Sequence, residues 1–319
     1  LGNYFGAVRN FVQLQHEKEC YFFIANLHAL TTHPEQKKKK KSVKGVLAEY
    51  IACGIDPDAS AIYVQSDVPE ISELFVLLNM LAYKGELEKS TSFKEKIKKH
   101  NENINAGLLT YPVLMAADIL IHRAHKVPVG KDQEQHLEMT RNFAQRFNHR
   151  YGTDFFLELY AYDFSGELVK VPGLDGNGKM GKSEGGNNAI FLRDDDKTIS
   201  KKVMKAKTDA GPSHENSEKP EEIKNLFALL GLVSTPDTIQ HFDNAWNQCT
   251  IRYGDLKKQL AADMIQFISP IREKIVDLDN NETLLKKISQ QGAEKARISA
   301  QATLKGVREL MGLTSIWEY

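Results

Sequence analysis

Cys20-Tyr21-Phe22-Phe23-Ile24-Ala25 and, some 35 residues on, Ala61-Ile62-Tyr63-Val64-Gln65 are the segments whose reading decides the fold. Each is a short continuous apolar run, the pattern of a strand buried on both faces. Between them lie a lysine-rich turn and a helical stretch from Val43 to Cys53, ended by Gly54. Val68 to Leu81 is predicted to be the next helix. Strand, helix, strand at this spacing predicts a parallel sheet with crossover helices, and such sheets bind ligands at the carboxyl ends of their strands. Ahead of the first strand, Asn3 to Gln15 places Phe5, Val8, Phe11, Val12 and Leu14 mostly at helical spacing. A parallel-sheet domain wants a strand before that helix, so the natural chain is expected to extend ahead of Leu1.

The second half reads differently. From about Lys197 onward helical periodicity dominates and strand signals vanish. Helices are predicted over Glu221 to Leu230, Thr235 to Asn247, Gly254 to Ile268 and Glu282 to Met311. Pro220, Pro236 and Pro270 are expected to mark starts or breaks. The expected organisation is α/β over residues 1–185 and a helical domain over 186–319.

Bulk composition narrows the function classes. The chain has 319 residues, 41% hydrophobic and 26% charged, ordinary for a globular protein. Forty-two basic and 42 acidic side chains give a formal net charge of zero. Any nucleic-acid surface must then be a local patch. Cys20, Cys53 and Cys249 are odd in number and unpaired in spacing, which argues against a disulfide framework or a cysteine zinc site. No apolar run is long enough to span a membrane and the start is not a signal peptide, so a cytoplasmic location is expected.

Three motifs carry chemistry. In Tyr111-Pro112-Val113-Leu114-Met115-Ala116-Ala117-Asp118, proline is expected at the first position of a helix, after Tyr111. Tyr111, Met115 and Asp118 then share one face at i, i+4 and i+7. A lone carboxylate on an apolar helix needs a donor. It either caps a neighbouring backbone or waits in a flat slot for a ligand with one ring N–H. In Val127-Pro128-Val129-Gly130-Lys131-Asp132-Gln133-Glu134-Gln135-His136, a helix is expected to open at Asp132 with a capping-box-like Gln135. Gly130 there either lets backbone approach a nucleotide or makes a plain connection. His136 alone reads as a surface or core histidine. Finally, Lys179-Met180-Gly181-Lys182-Ser183 sits among glycines and asparagines, so a mobile loop is predicted. It reads either as a solvated basic turn or as a cationic clamp for a migrating phosphate charge. Lys37 to Lys41 reads as a solvated loop, and Lys94 to His100 as an exposed helix face with a tRNA or dimer role open.

Taken in order, these segments resemble the bacterial tryptophanyl-tRNA synthetase family of class I aminoacyl-tRNA synthetases, over nearly the whole chain. Asn3-Tyr4-Phe5-Gly6-Ala7, Ala52-Cys53-Gly54-Ile55-Asp56-Pro57, Gln65-Ser66-Asp67-Val68-Pro69-Glu70, Asn103-Ile104-Asn105-Ala106-Gly107-Leu108 and Lys205 to Asp209 carry the likeness as well. The tyrosine enzymes share that fold, but the Asp118 helix and Val127 to Gly130 match the tryptophan enzymes better. A non-catalytic synthetase-like tRNA-binding paralogue is the remaining alternative, and both loop lysines speak against it.

The resemblance implies a Rossmann-like parallel-sheet catalytic domain with an appended α-helical tRNA-binding domain, the last helix packing back on the first. It implies activation of L-tryptophan by ATP with Mg²⁺ and transfer to tRNA(Trp), with no protein-bound metal site. It also implies a homodimer and no membrane or DNA partner. By resemblance, Lys179, Lys182 and Ser183 are catalytic members of the KMSKS loop, which with Met180 and Gly181 touches ATP. Gly2 and Asn3 form the tail of the HIGH motif. Gly130, Lys131 and Asp132 fall at the nucleotide and Val171 at the adenine. Asp118 accepts the indole N–H, Tyr111 and Met115 line its slot, and Gln133 meets the amino acid. Gly181 stands where the family has serine, and Asn26-Leu27 where it has Asp-Gln before His28.

Overall fold

A computed structural model describes residues 1–91, 93, 94, 97, 104–130, 133–162, 171–176, 178–181 and 188–314. A π-helical turn over Tyr4–Val8 leads into α1 (Arg9–Leu14). Strand β1 (Tyr21–Ile24) is followed by a 3-10 turn (His28–Thr32), α2 (Gln36–Ala52) and β2 (Ala61–Val64). Next come α3 (Glu70–Asn79), α4 (Lys84–Lys89) and α5 (Ala106–Leu120). Strands β3 (Lys126–Val127) and β4 (Tyr160–Ala161) flank α6 (Glu134–Tyr151). The remainder is helical: α7 (Asp196–Met204), α8 (Glu221–Val233), α9 (Pro236–Asn247), α10 (Tyr253–Asn280) and α11 (Glu282–Leu310).

The strand–helix–strand expectation holds. β1 and β2 pair in parallel, Tyr21 opposite Ala61 and Ile24 opposite Val64. β3 and β4 also pair in parallel. The fold is α/β with Rossmann-like parallel strands and a large helical complement.

The chain forms two compact units. One gathers the described residues of Glu19–Leu47, Pro57–Phe164 and Thr283–Tyr319. Its core joins Tyr63 of β2 to Ile71 and Leu74 of α3, Leu120 of α5, Phe143 of α6 and Ala296 of α11. In it α11 lies hard against β2: a Cβ on Gly292 would stand 1.9 Å from the Ile62 carbonyl oxygen, so only glycine permits this approach. The other unit gathers the described residues of Leu1–Lys18, Ala48–Asp56 and Ser165–Glu282. Its core includes Phe5, Ile199, Leu229, Trp246, Leu256 and Met264.

Four local expectations are corrected. The lysine run is helical, since α2 starts at Gln36. Lysine is a good helix former, and burial of Leu47, Ala48 and Ala52 further along anchors the helix against repulsions of about 0.2–0.5 kcal/mol per pair. Pro112 lies inside α5, which starts at Ala106 because the Asn105 side chain accepts from Leu108 N at 3.0 Å and caps it. Burial of Leu108, Pro112 and Val113 offsets the hydrogen bond that proline cannot donate. Pro270 likewise sits inside α10, between buried Ile268 and Ile275. α6 opens at Glu134 without a side-chain cap, and the Gln135 side chain instead accepts from Thr91 N at 2.9 Å.

Candidate functional site

Asp118 is the centre of one constellation. It lies in the last turn of α5, only 3% exposed. Gln65, at the carboxyl end of β2 and fully buried, donates its amide N–H to both carboxylate oxygens, at 2.7 and 2.9 Å. His28 donates from Nε2 to Oδ2 at 2.8 Å. Burial pushes the Asp118 carboxyl above its ordinary pKa, and the bonds from His28 and Gln65 pull against that rise. The donors are side chains from two other elements, so the alternative in which Asp118 caps a neighbouring backbone is not what the fold does.

The loop that supplies His28 is itself fixed. The Gln65 side-chain oxygen accepts from Leu27 N at 3.0 Å. Asn26 accepts from Ser66 N at 3.0 Å and donates to Ser66 Oγ at 2.8 Å. The unusual Asn26-Leu27 pair thus ties the end of β1 to the end of β2, both at carboxyl ends of parallel strands. His28 and Gln65 were not singled out from the sequence as site residues. The available signal was a polar side chain closing the apolar run Ala61–Val64 at the strand end where ligands bind.

Along the same α5 face, Met115 and Tyr111 are half-buried. The Tyr111 ring stands edge-on to His28, centroids 6.4 Å apart. Its hydroxyl lies 2.9 Å from His136 Nε2, and His136 Nδ1 lies 2.8 Å from the Gln133 side-chain oxygen. An amide oxygen only accepts, so Nδ1 carries the proton and Nε2 accepts from Tyr111. His136 is a core histidine, 2% exposed, that orients Tyr111 and Gln133. Four residues past Asp118, His122 Nε2 lies 2.9 Å from the Tyr63 hydroxyl. Burial lowers the His122 pKa to about 4 and keeps that ring neutral.

A second constellation belongs to the other unit. Val171 and Met180 are buried side by side, with Met180 N donating to Val171 O at 2.8 Å and Pro172 bridged to Lys179. Gly2 lies against this hairpin: a Cβ there would stand 2.9 Å from Met180 O. Asn3 flanks the π-helical turn without a side-chain cap bond. Asn188 braces the hairpin from below, its Oδ1 accepting from Asp175 N at 3.1 Å and filling the space a Cβ on Gly173 would take. Lys179 is exposed and Gly181 half-buried. Gly2, Val171, Lys179 and Met180 are thus brought together. Gly130 is exposed, and its carbonyl accepts from Gln133 N at 2.9 Å. Lys131, Asp132, Lys182 and Ser183 lie outside the described residues. Among the described residues no cluster of three or more His, Cys, Asp or Glu could hold a metal ion, and no helix is long and apolar enough to cross a membrane.

Comparison with known proteins places these features in one family. Residues 1–269 match the family of tRNA synthetases class I (W and Y). The tryptophan–tRNA ligase of Porphyromonas gingivalis is 60% identical over 312 residues, covering 98% of this chain and 95% of that protein. The Campylobacter jejuni tryptophanyl-tRNA synthetase, crystallised with ADP and tryptophan, superposes with a TM-score of 0.88 at 33% identity, over 98% of this chain and 95% of that one. The Mycoplasma pneumoniae tryptophanyl-tRNA synthetase gives 0.80 at 30% identity, over 99% and 94%. The chain belongs to the class I tRNA synthetases of the tryptophan and tyrosine branch.

Proposed function

We infer that this chain is a tryptophan–tRNA ligase, which activates L-tryptophan with ATP and passes the aminoacyl group to tRNA(Trp). The observation that carries the reading is the Asp118 carboxylate: buried, held by His28 and Gln65, and sharing its helix face with Met115 and Tyr111. A carboxylate offers about four acceptor sites, and three are used. The remaining one suits a single ring N–H, as indole has. Seven residues of helix span about 10 Å from Asp118 to Tyr111, the length scale of an extended indolyl amino acid. Met115 supplies the apolar wall between them, and Gln133, oriented through His136, meets the amino-acid end. A competitor without the N–H leaves a buried acceptor unpaired and is penalised for it.

No protein nucleophile is required. A tryptophan carboxylate oxygen attacks the α-phosphorus of ATP, the bond to the bridging oxygen breaks, and pyrophosphate leaves. The terminal tRNA hydroxyl then attacks the adenylate carbonyl and AMP departs. Charge neutralisation and alignment do the work. Lys179, Lys182 and Ser183 are assigned to the departing phosphates, with Met180 and Gly181 in the same loop. Gly2, Asn3, Gly130, Lys131, Asp132 and Val171 are assigned to the nucleotide, and Mg²⁺ enters with ATP. Residues 1–185 are assigned to catalysis and 186–319 to tRNA reading, the last helix packing back on the catalytic part, in a cytoplasmic homodimer. ATP–pyrophosphate exchange tests the reading: tryptophan should support it and tyrosine should not. Tyrosine-dependent exchange exceeding that with tryptophan would overturn it.

A further inference from the structure

The lysine run of α2 has no role in the reaction described above. Lys37, Lys40 and Lys41 are exposed, and no ion pair involves any of them among the described residues. Within the run, Lys38 pairs with Glu35 at 3.2 Å. At 3.6 residues per turn, Lys37, Lys40 and Lys41 fall on one stripe about 100° wide and about 6 Å long. Their i, i+3 and i, i+4 spacings set like charges side by side, which destabilises a helix. No acidic residue occupies the first turn, so the positive end of the helix dipole adds to the lysine charge. A chain of zero net charge therefore concentrates cations on one exposed face.

Its place in the unit is informative. The 3-10 turn that opens with His28 precedes α2, and Asn105 Nδ2, at the cap of α5, donates to Thr31 O at 3.0 Å. Nine residues separate His28 from Lys37, at most about 30 Å of chain. The stripe thus lies in the same unit as the amino-acid pocket, within reach of an RNA helix whose 3′ end meets the carboxyl end of the bound tryptophan. We propose that the α2 lysine stripe binds the phosphate backbone of the tRNA acceptor arm while its 3′ end is held for transfer. The inference rests on the ligase reading and names where that partner touches the protein. A backbone contact of this kind is electrostatic and indifferent to sequence, and it declares itself by its salt dependence.

The test uses the full chain carrying K37Q/K40Q/K41Q, with tRNA(Trp) binding measured across a salt series beside tryptophan-dependent ATP–pyrophosphate exchange. Exchange involves no tRNA and should stay within about twofold of the parent. Affinity for tRNA(Trp), and for a hairpin of its acceptor arm alone, should fall about tenfold or more, and the slope of log K against log salt should shrink by about two to three. The charge-keeping K37R/K40R/K41R variant should bind like the parent. Unchanged affinity and slope in the glutamine variant, an equal loss for an anticodon-arm hairpin, or failure of the arginine variant to restore binding would each overturn the proposal. Absence of tryptophan-dependent exchange in the parent chain would break the ligase reading itself, and this inference with it.

Discussion

The Asp118 pocket and the Val171–Gly181 hairpin are built on opposite principles. Asp118 is nearly sealed from solvent and receives three side-chain hydrogen bonds from two other elements. Lys179 is exposed, and its hairpin is held by backbone bonds and by the close approach of Gly2 to Met180. Selecting an amino acid needs an acceptor that cannot move toward the wrong ligand. Handling a phosphate that must leave needs a cation that water can replace afterwards. One region should therefore govern which amino acid binds, and the other how fast its adenylate forms.

The sharpest break of that contrast comes from Lys179→Ala. Removing a charge that meets the transition state should lower kcat for tryptophan-dependent exchange by about 100- to 1000-fold, with KM for tryptophan little changed. Asp118→Ala should do the reverse. Loss of a hydrogen bond to a charged group is worth about 1.5–3 kcal/mol, or roughly 10- to 150-fold in KM for tryptophan, with KM for ATP spared. Equal effects of both variants on both parameters would mean that the regions do not divide the labour.

Much of the first region was legible. Continuous apolar runs and their spacing sufficed for β1, β2 and the second half of α2, and the i, i+4, i+7 rule put Tyr111, Met115 and Asp118 on one face. Its partners were not legible, because His28 and Gln65 stand 90 and 53 residues from Asp118 in sequence and only the strand pairing brings them there. The lysine run and Pro112 were misread for a shared reason: charge repulsion spoke for a loop and proline for a helix start, and burial further along each helix overrode both. In the hairpin, the glycines announced a loop. That Gly173 makes room for Asn188 could not be seen without the packing.

Two glycines extend the contrast to stability. Gly292→Ala sets a Cβ 1.9 Å from the Ile62 carbonyl and must push α11 off β2. Gly173→Ala sets one 2.2 Å from Asn188 Oδ1 and must dislodge the brace of the hairpin. Each should cost about 1–3 kcal/mol, read as a lowered unfolding midpoint. The functional signatures should differ: KM for ATP should rise in Gly173→Ala, and KM for tryptophan in Gly292→Ala, since β2 carries Gln65.

A pH series separates two neighbours at the carboxyl end of α5, Asp118 in its last turn and His122 in the turn that follows. Burial raises the Asp118 pKa above the ordinary value of about 3.9. As pH falls through that raised pKa, the carboxylate that accepts an indole N–H is lost, so KM for tryptophan should climb as pH is lowered. Asp118→Asn should flatten that climb. In stability the sign is reversed, because a folded pKa raised above the unfolded one favours the folded state at low pH. His122 works the other way, its folded pKa lowered from 6.5 to about 4. Its contribution is complete above pH 6.5 and is lost as pH falls toward about 4. That loss is on the order of 3 kcal/mol at most. His122→Gln keeps a hydrogen-bonding partner for the Tyr63 hydroxyl and removes the titration, so it should flatten acid destabilisation while leaving the tryptophan KM profile intact. A KM profile that followed His122 and ignored Asp118 would move the recognition of the indole N–H to another residue.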